Sequence, residues 1–139
     1  AVGIARGMGY GDNAVAALIT RGAAEIKRLG LVLGGQEDTF SGLAGVGDLI
    51  VTCSSTHSRN MTAGTLMGRG FSAEDAVARV GMVVEGVNAV DTAQELIETY
   101  GVYMPITSAV YGIVRKGVKP AAAAERLMTT RSYQRRENQ

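Results

Sequence analysis

The sequence specifies an all-α domain, and three observations carry that prediction. Apolar residues recur at helical spacing in one stretch after another, and no stretch shows the period-two alternation of a half-buried strand. Glycine, proline or a capping hydroxyl also separates the stretches. Ile50-Val51 and Met82-Val83-Val84 are the only β-leaning clusters. With 139 residues, 46% of them hydrophobic, the chain suits one compact core, over residues 1–130, followed by a polar tail over 131–139.

The elements follow in order. Ala1-Val2-Gly3-Ile4-Ala5 reads as the inside of an element rather than a start, which suggests a fragment whose N-terminal partner precedes it. Gly7-Met8-Gly9-Tyr10-Gly11 is a turn, since neither GxGxxG nor GxxxxGK[ST] spacing is present and no strand precedes it. Asp12 or Asn13 is then expected to cap a helix carrying Val15, Leu18, Ile19, Ile26 and Leu29, with Gly30 as its stop. A short helix over Thr39 to Leu43 and another over Gly47 to Cys53 come next, and Ser54 to His57 form a loop. Ser58 is the expected N-cap of a helix through Thr65 and Leu66, closed by Gly68-Arg69-Gly70. Ser72-Ala73-Glu74-Asp75 resembles a capping box ahead of Ala76, Val77 and Val80. A longer helix over Val84 to Tyr100 ends at Gly101, Pro105 opens one over Ile106 to Lys116 that ends at Gly117, and Pro120 opens Ala121 to Met128. The tail from Arg131 is expected to fray.

Composition excludes several function classes. Fourteen basic and thirteen acidic residues leave a formal net charge of +1, so no global field favours nucleic acid or an anionic membrane. Cys53 is the only cysteine, so no intrachain disulfide or thiolate metal cluster can form, and a reducing, cytoplasmic setting is expected. No apolar run approaches the roughly 18 residues that span a bilayer, and no signal-peptide order appears.

Chemistry concentrates between Ala44 and Asn60, where an apolar run ends in small polar groups and one arginine. Asp48 and Thr52 are four apart and share a helix face. Ser58-Arg59-Asn60 combines a helix N-terminus, a guanidinium fork and an amide donor, a set that matches phosphate, although a solvated cap with a surface arginine reads equally well from pattern alone. His57 reads as a loop residue, Cys53 as a small buried one and Glu85 as a cap or surface carboxylate. Arg131, Arg135 and Arg136 form no long basic block.

Taken in order, Gly11-Asp12-Asn13, Ala17-Leu18-Ile19-Thr20-Arg21-Gly22, Gly42-Leu43-Ala44-Gly45-x-Gly47-Asp48-Leu49, Thr52-Cys53, Ser58-Arg59-Asn60, Val83-x-Glu85-Gly86 and Met104-Pro105-Ile106-Thr107 resemble bacterial NAD(P)-dependent glycerol-3-phosphate dehydrogenase. The resemblance runs along nearly the whole chain. It implies the C-terminal, all-helical substrate and dimerisation domain of that enzyme, of the 6-phosphogluconate-dehydrogenase C-terminal-like type, without the Rossmann domain that precedes it in the family. The family interconverts dihydroxyacetone phosphate and sn-glycerol 3-phosphate and feeds glycerophospholipid synthesis. By motif, Asp48, Thr52, Ser58, Arg59 and Asn60 are implied substrate contacts, and Arg59, Val83 and Glu85 implied contacts to NAD or NADP.

The resemblance assigns acid/base work to a lysine a few residues before Ala1, so no catalytic residue is expected in this chain, nor any metal site. The chain alone is therefore expected to lack turnover. The residues that decide NADH against NADPH would lie in the Rossmann domain. Implied partners are a phosphorylated triose, that domain and a second copy in a homodimer, with no nucleic acid and no membrane insertion. The competing reading is a non-catalytic helical dimerisation module, motivated by Met-rich and Ala-rich helix faces and glycine-rich helix ends.

Overall fold

The computed structural model describes residues 1–55 and 57–137, with side chains described through residue 129. Among them there are helices and no strands: α1 (Val2–Gly7), α2 (Asp12–Val32), α3 (Glu37–Ser41), a π-helical segment (Leu43–Gly47), α4 (Asp48–Ser54), α5 (Arg59–Gly68), α6 (Ala73–Val80), α7 (Glu85–Tyr100), α8 (Pro105–Lys116) and α9 (Pro120–Glu137).

Backbone contact between α1 and α5 lies at the centre. Gly3 and Gly7 face Gly64 and Gly68 across the crossing: a Cβ on Gly64 would lie 3.1 Å from the Gly3 Cα, and one on Gly68 would lie 2.2 Å from the Ile4 carbonyl oxygen. Only a side chain of one hydrogen permits this approach. Ile4, Ala63, Met67, Ala76 and Val84 form the buried cluster beside the crossing, and Val77, Val80, Ile113 and Val114 pack against it.

Several boundaries differ from the sequence-based expectation, for identifiable reasons. Neither Asp12 nor Asn13 caps α2. Gly11 is the N-cap, and Asp12, in the first turn, reaches Arg6 at 3.6 Å instead. Gly30 does not stop α2, because it is the gap that admits the Phe40 ring: a Cβ there would lie 2.1 Å from Phe40 Cζ. The stop comes at Gly34, in the left-handed region at φ 91°, with the Gly35 N–H closing on the Gly30 carbonyl at 2.8 Å.

The helix expected over Thr39 to Leu43 is α3, two residues earlier, followed by the π-helical segment, in which the Gly47 N–H reaches the Gly42 carbonyl at 3.4 Å. That segment leads straight into α4, and Asp48, at the junction, has helical backbone angles. α9 continues past Met128 to Glu137 rather than fraying from Arg131, consistent with a run free of glycine and proline after Pro120. The side chains of Arg131, Arg135 and Arg136, and residues Thr56, Asn138 and Gln139, lie outside the described set.

Ser58 and Ser72 cap as expected. Ser58 Oγ accepts from the Met61 N–H at 2.9 Å, and Ser72 Oγ accepts from the Asp75 N–H at 3.1 Å. Gly101 and Gly117 close α7 and α8 in the left-handed conformation. No helix among the described residues is long and apolar enough to cross a membrane.

Candidate functional site

Residues of six helices line an open cavity of about 370 Å³. Thr52 enters it from α4, Ser58 and Asn60 from the start of α5, Glu25 from α2, Gly86 from α7 and Thr107 from α8, and Ala1 stands at its edge. Three of the five expected substrate contacts, Thr52, Ser58 and Asn60, thus line one cavity, Thr52 from α4 and the other two from the start of α5. On α4 the cavity face is Leu49, Thr52 and Cys53, spaced by three and four residues.

Asp48, Arg59, Val83 and Glu85 do not line this cavity. Asp48 is exposed in the first turn of α4, and Arg59 is exposed in the first turn of α5. Val84 turns into the core at 3% exposure, so its neighbours Val83 and Glu85 both face outward. All four are exposed and outside the cavity lining.

The start of α5 is electropositive by construction. Ser58 Oγ uses its lone pair on the Met61 N–H, and the Ser58 hydroxyl hydrogen keeps its donor capacity. The N–H groups of Arg59 and Asn60 belong to the unpaired first turn, and no acidic residue of that turn cancels the helix dipole. Asn60 Oδ1 accepts from the Gly86 N–H at 2.8 Å, which ties the start of α5 to the start of α7. Because only the oxygen can accept from an N–H, this bond assigns the amide's orientation.

A carboxylate that sequence reasoning missed also lines the cavity. Glu25 is 2% exposed and accepts from the Ile106 N–H at 2.6 Å, the Thr107 N–H at 3.0 Å and the Thr107 hydroxyl at 2.9 Å. It supplies from a distance the cap that Met104, the N-cap of α8, does not provide. The signal was a helix opened by Pro105 with no Ser, Thr, Asp or Asn before it, which left its first amides in need of an acceptor.

Cys53 is half-buried, and that burial pushes its thiol above the ordinary value, so it stays protonated at neutral pH. His57 is exposed in the loop before α5. Among the described residues no group of three His, Cys, Asp or Glu side chains could hold a metal.

The model of the NAD-dependent glycerol-3-phosphate dehydrogenase C-terminus matches residues 1–125. Over 128 residues, 92% of this chain, the sequence is 57% identical to glycerol-3-phosphate dehydrogenase [NAD(P)+] of Bacillus subtilis, of which it covers 37%. It is 58% identical over the same length to a glycerol-3-phosphate dehydrogenase [NAD(P)+] of Lactobacillus delbrueckii subsp. bulgaricus, of which it covers 38%. The chain thus spans well under half the length of these curated relatives. Its fold superposes on the crystal structure of glycerol-3-phosphate dehydrogenase from Coxiella burnetii with a TM-score of 0.87 at 38% identity, covering 91% of this chain and 39% of that one.

Proposed function

The chain belongs to the NAD-dependent glycerol-3-phosphate dehydrogenase C-terminal family, and on that premise we propose that it is the substrate-holding part of an oxidoreductase that interconverts dihydroxyacetone phosphate and sn-glycerol 3-phosphate. The observation that carries the proposal is that Thr52, Ser58 and Asn60 line one cavity, the last two at the electropositive start of α5.

In this reading the first-turn amides, the Ser58 hydroxyl and the Asn60 amide hold the phosphate, and Arg59 swings in from outside the lining to add a charge-assisted fork. Thr52 and Asp48 orient the hydroxyl end, so the reacting carbon meets the cofactor in one pose. NAD or NADP, held mainly by a dinucleotide-binding domain, supplies or takes the hydride. Arg59 and Glu85 immediately precede Asn60 and Gly86, so the outward-facing Arg59, Glu85 and Val83 fit an edge over which that cofactor can lie. The lysine that serves as proton donor is contributed from before Ala1, which itself borders the cavity.

The proposal also includes a cytoplasmic homodimer, supported by a cysteine content of one, Cys53, and by apolar side chains left bare on α4 and the segment before it, Leu43 at 89% and Val51 at 71% exposure. Light scattering of the full-length enzyme should return twice the chain mass.

The decisive test is Arg59→Ala in the full-length enzyme. Affinity for glycerol 3-phosphate should fall by the equivalent of about 2 to 5 kcal/mol, the cost of removing one charged partner at a site the ligand desolvates. Unchanged affinity would overturn the phosphate role. The 139-residue chain alone should show no NADPH oxidation that depends on dihydroxyacetone phosphate.

A further inference from the structure

We infer that Gly86 is a positioning residue for Asn60, through both the N–H it presents and the side chain it lacks. The inference rests on the reading of Asn60 as a substrate contact.

Gly86 is the second residue of α7, where a backbone N–H has no partner within its own helix. That N–H donates to Asn60 Oδ1 at 2.8 Å, across 26 positions of sequence. The bond turns the amide's acceptor atom toward Gly86. Nδ2, for which no partner occurs among the described residues, is left on the cavity wall with two N–H donors. An amide free to flip would offer acceptor and donor alternately to an anionic ligand, whereas the orientation of this one is held by the Gly86 N–H.

The same contact leaves no room for a larger residue. A Cβ on Gly86 would lie 2.9 Å from Asn60 Oδ1, 3.1 Å from its Cγ and 3.3 Å from its Nδ2. The added carbon would press on the amide, closest at its oxygen, so the Asn60 side chain would have to shift from its place against the Gly86 N–H. The backbone of Gly86 itself does not require glycine, since it is not among the residues with positive φ. The three atoms nearest to the added carbon all belong to Asn60. Asn60 and Gly86 thus form one unit, assembled from two helix starts.

The test is a double-mutant cycle in the full-length enzyme, with Gly86→Ala, Asn60→Ala and the pair, read as KM for glycerol 3-phosphate, kcat and thermal midpoint. Gly86→Ala should raise KM for the phosphorylated substrate by roughly tenfold or more, the equivalent of one displaced hydrogen-bonding group. In the Asn60→Ala background the same substitution should change nothing further, because the obstructing amide is gone. A purely structural role for Gly86 would instead add its effect in both backgrounds, and that additivity would overturn the inference. If Gly86→Ala alone fails to fold, a folded double variant with the kinetics of Asn60→Ala supports it, and one that remains unfolded or is worse than Asn60→Ala overturns it. If Asn60→Ala leaves KM unchanged, the substrate reading of Asn60 fails and the inference falls with it. A raised KM in Asn60→Ala with none in Gly86→Ala rejects the inference alone.

Discussion

Glu25 and Thr107 meet across 82 positions of sequence, and one carboxylate oxygen takes both the backbone N–H of Thr107, at 3.0 Å, and its hydroxyl, at 2.9 Å. The other oxygen takes the Ile106 N–H at 2.6 Å. Glu25→Ala strands these donors in a buried place, and each stranded group costs about 1 to 3 kcal/mol. The expected loss is about 3 kcal/mol or more in urea unfolding, seen as a lower midpoint with an unchanged slope. Glu25→Gln should fall between, since it keeps one acceptor but turns an amide NH₂ toward a donor. A loss below about 1 kcal/mol for the alanine variant would show that α8 finds another cap.

The glycines of this chain should respond to alanine in opposite directions. Gly68→Ala would place a Cβ 2.2 Å from the Ile4 carbonyl oxygen, and only separation of α1 from α5 relieves that clash. A destabilisation of about 1 to 3 kcal/mol is expected, as for other overpacked sites. Gly22→Ala, inside α2 with nothing within 4 Å of the added carbon, should stabilise by about 0.4 to 1 kcal/mol. Thermal midpoints of the two variants should move apart, and a rise for Gly68→Ala would contradict the backbone contact.

Cys53 should report its burial through pH. Desolvation favours the neutral thiol and raises its pKa in the folded chain. The unfolded chain therefore loses this proton first. Whatever stability the group contributes is fully present below the ordinary thiol value and declines as pH climbs through the raised one. Alkylation by iodoacetamide should be slow at neutral pH and still be accelerating where an ordinary thiol has levelled off. A rate that reaches its plateau below the ordinary thiol value would mean that the site favours the thiolate.

Such contrasts mark what was legible in the sequence. Ser58 and Ser72 could be read as caps because donor and acceptor lie three residues apart, and Gly101 and Gly117 could be read as stops because chain reversal is local. Gly30 misled because a glycine that ends a helix and one that admits a ring look alike until Phe40 is placed beside it. Glu25, Gly3 with Gly64, and Gly86 with Asn60 owe their roles to partners tens of residues away, so no local pattern exposed them. Of the site, Thr52, Ser58 and Asn60 shared a motif neighbourhood and share a cavity, while Asp48, four residues before Thr52 on α4, is exposed and does not line it.

Ser58 offers a way to separate folding from binding at the proposed phosphate site. Its oxygen caps α5 by accepting from the Met61 N–H at 2.9 Å, while its hydroxyl hydrogen is the part available to a ligand. Ser58→Ala loses both functions, and the cap alone should cost about 1 kcal/mol of stability. Ser58→Asp keeps an acceptor in the capping position and adds a negative charge where the helix dipole welcomes one. It should therefore unfold at or near the wild-type midpoint. The same carboxylate faces the place proposed for the substrate phosphate, and like charges there oppose binding. In the full-length enzyme, Ser58→Asp is expected to keep stability and lose affinity for glycerol 3-phosphate, while Ser58→Ala loses some of each. Unaltered affinity in a stable Ser58→Asp variant would remove the start of α5 from the binding site.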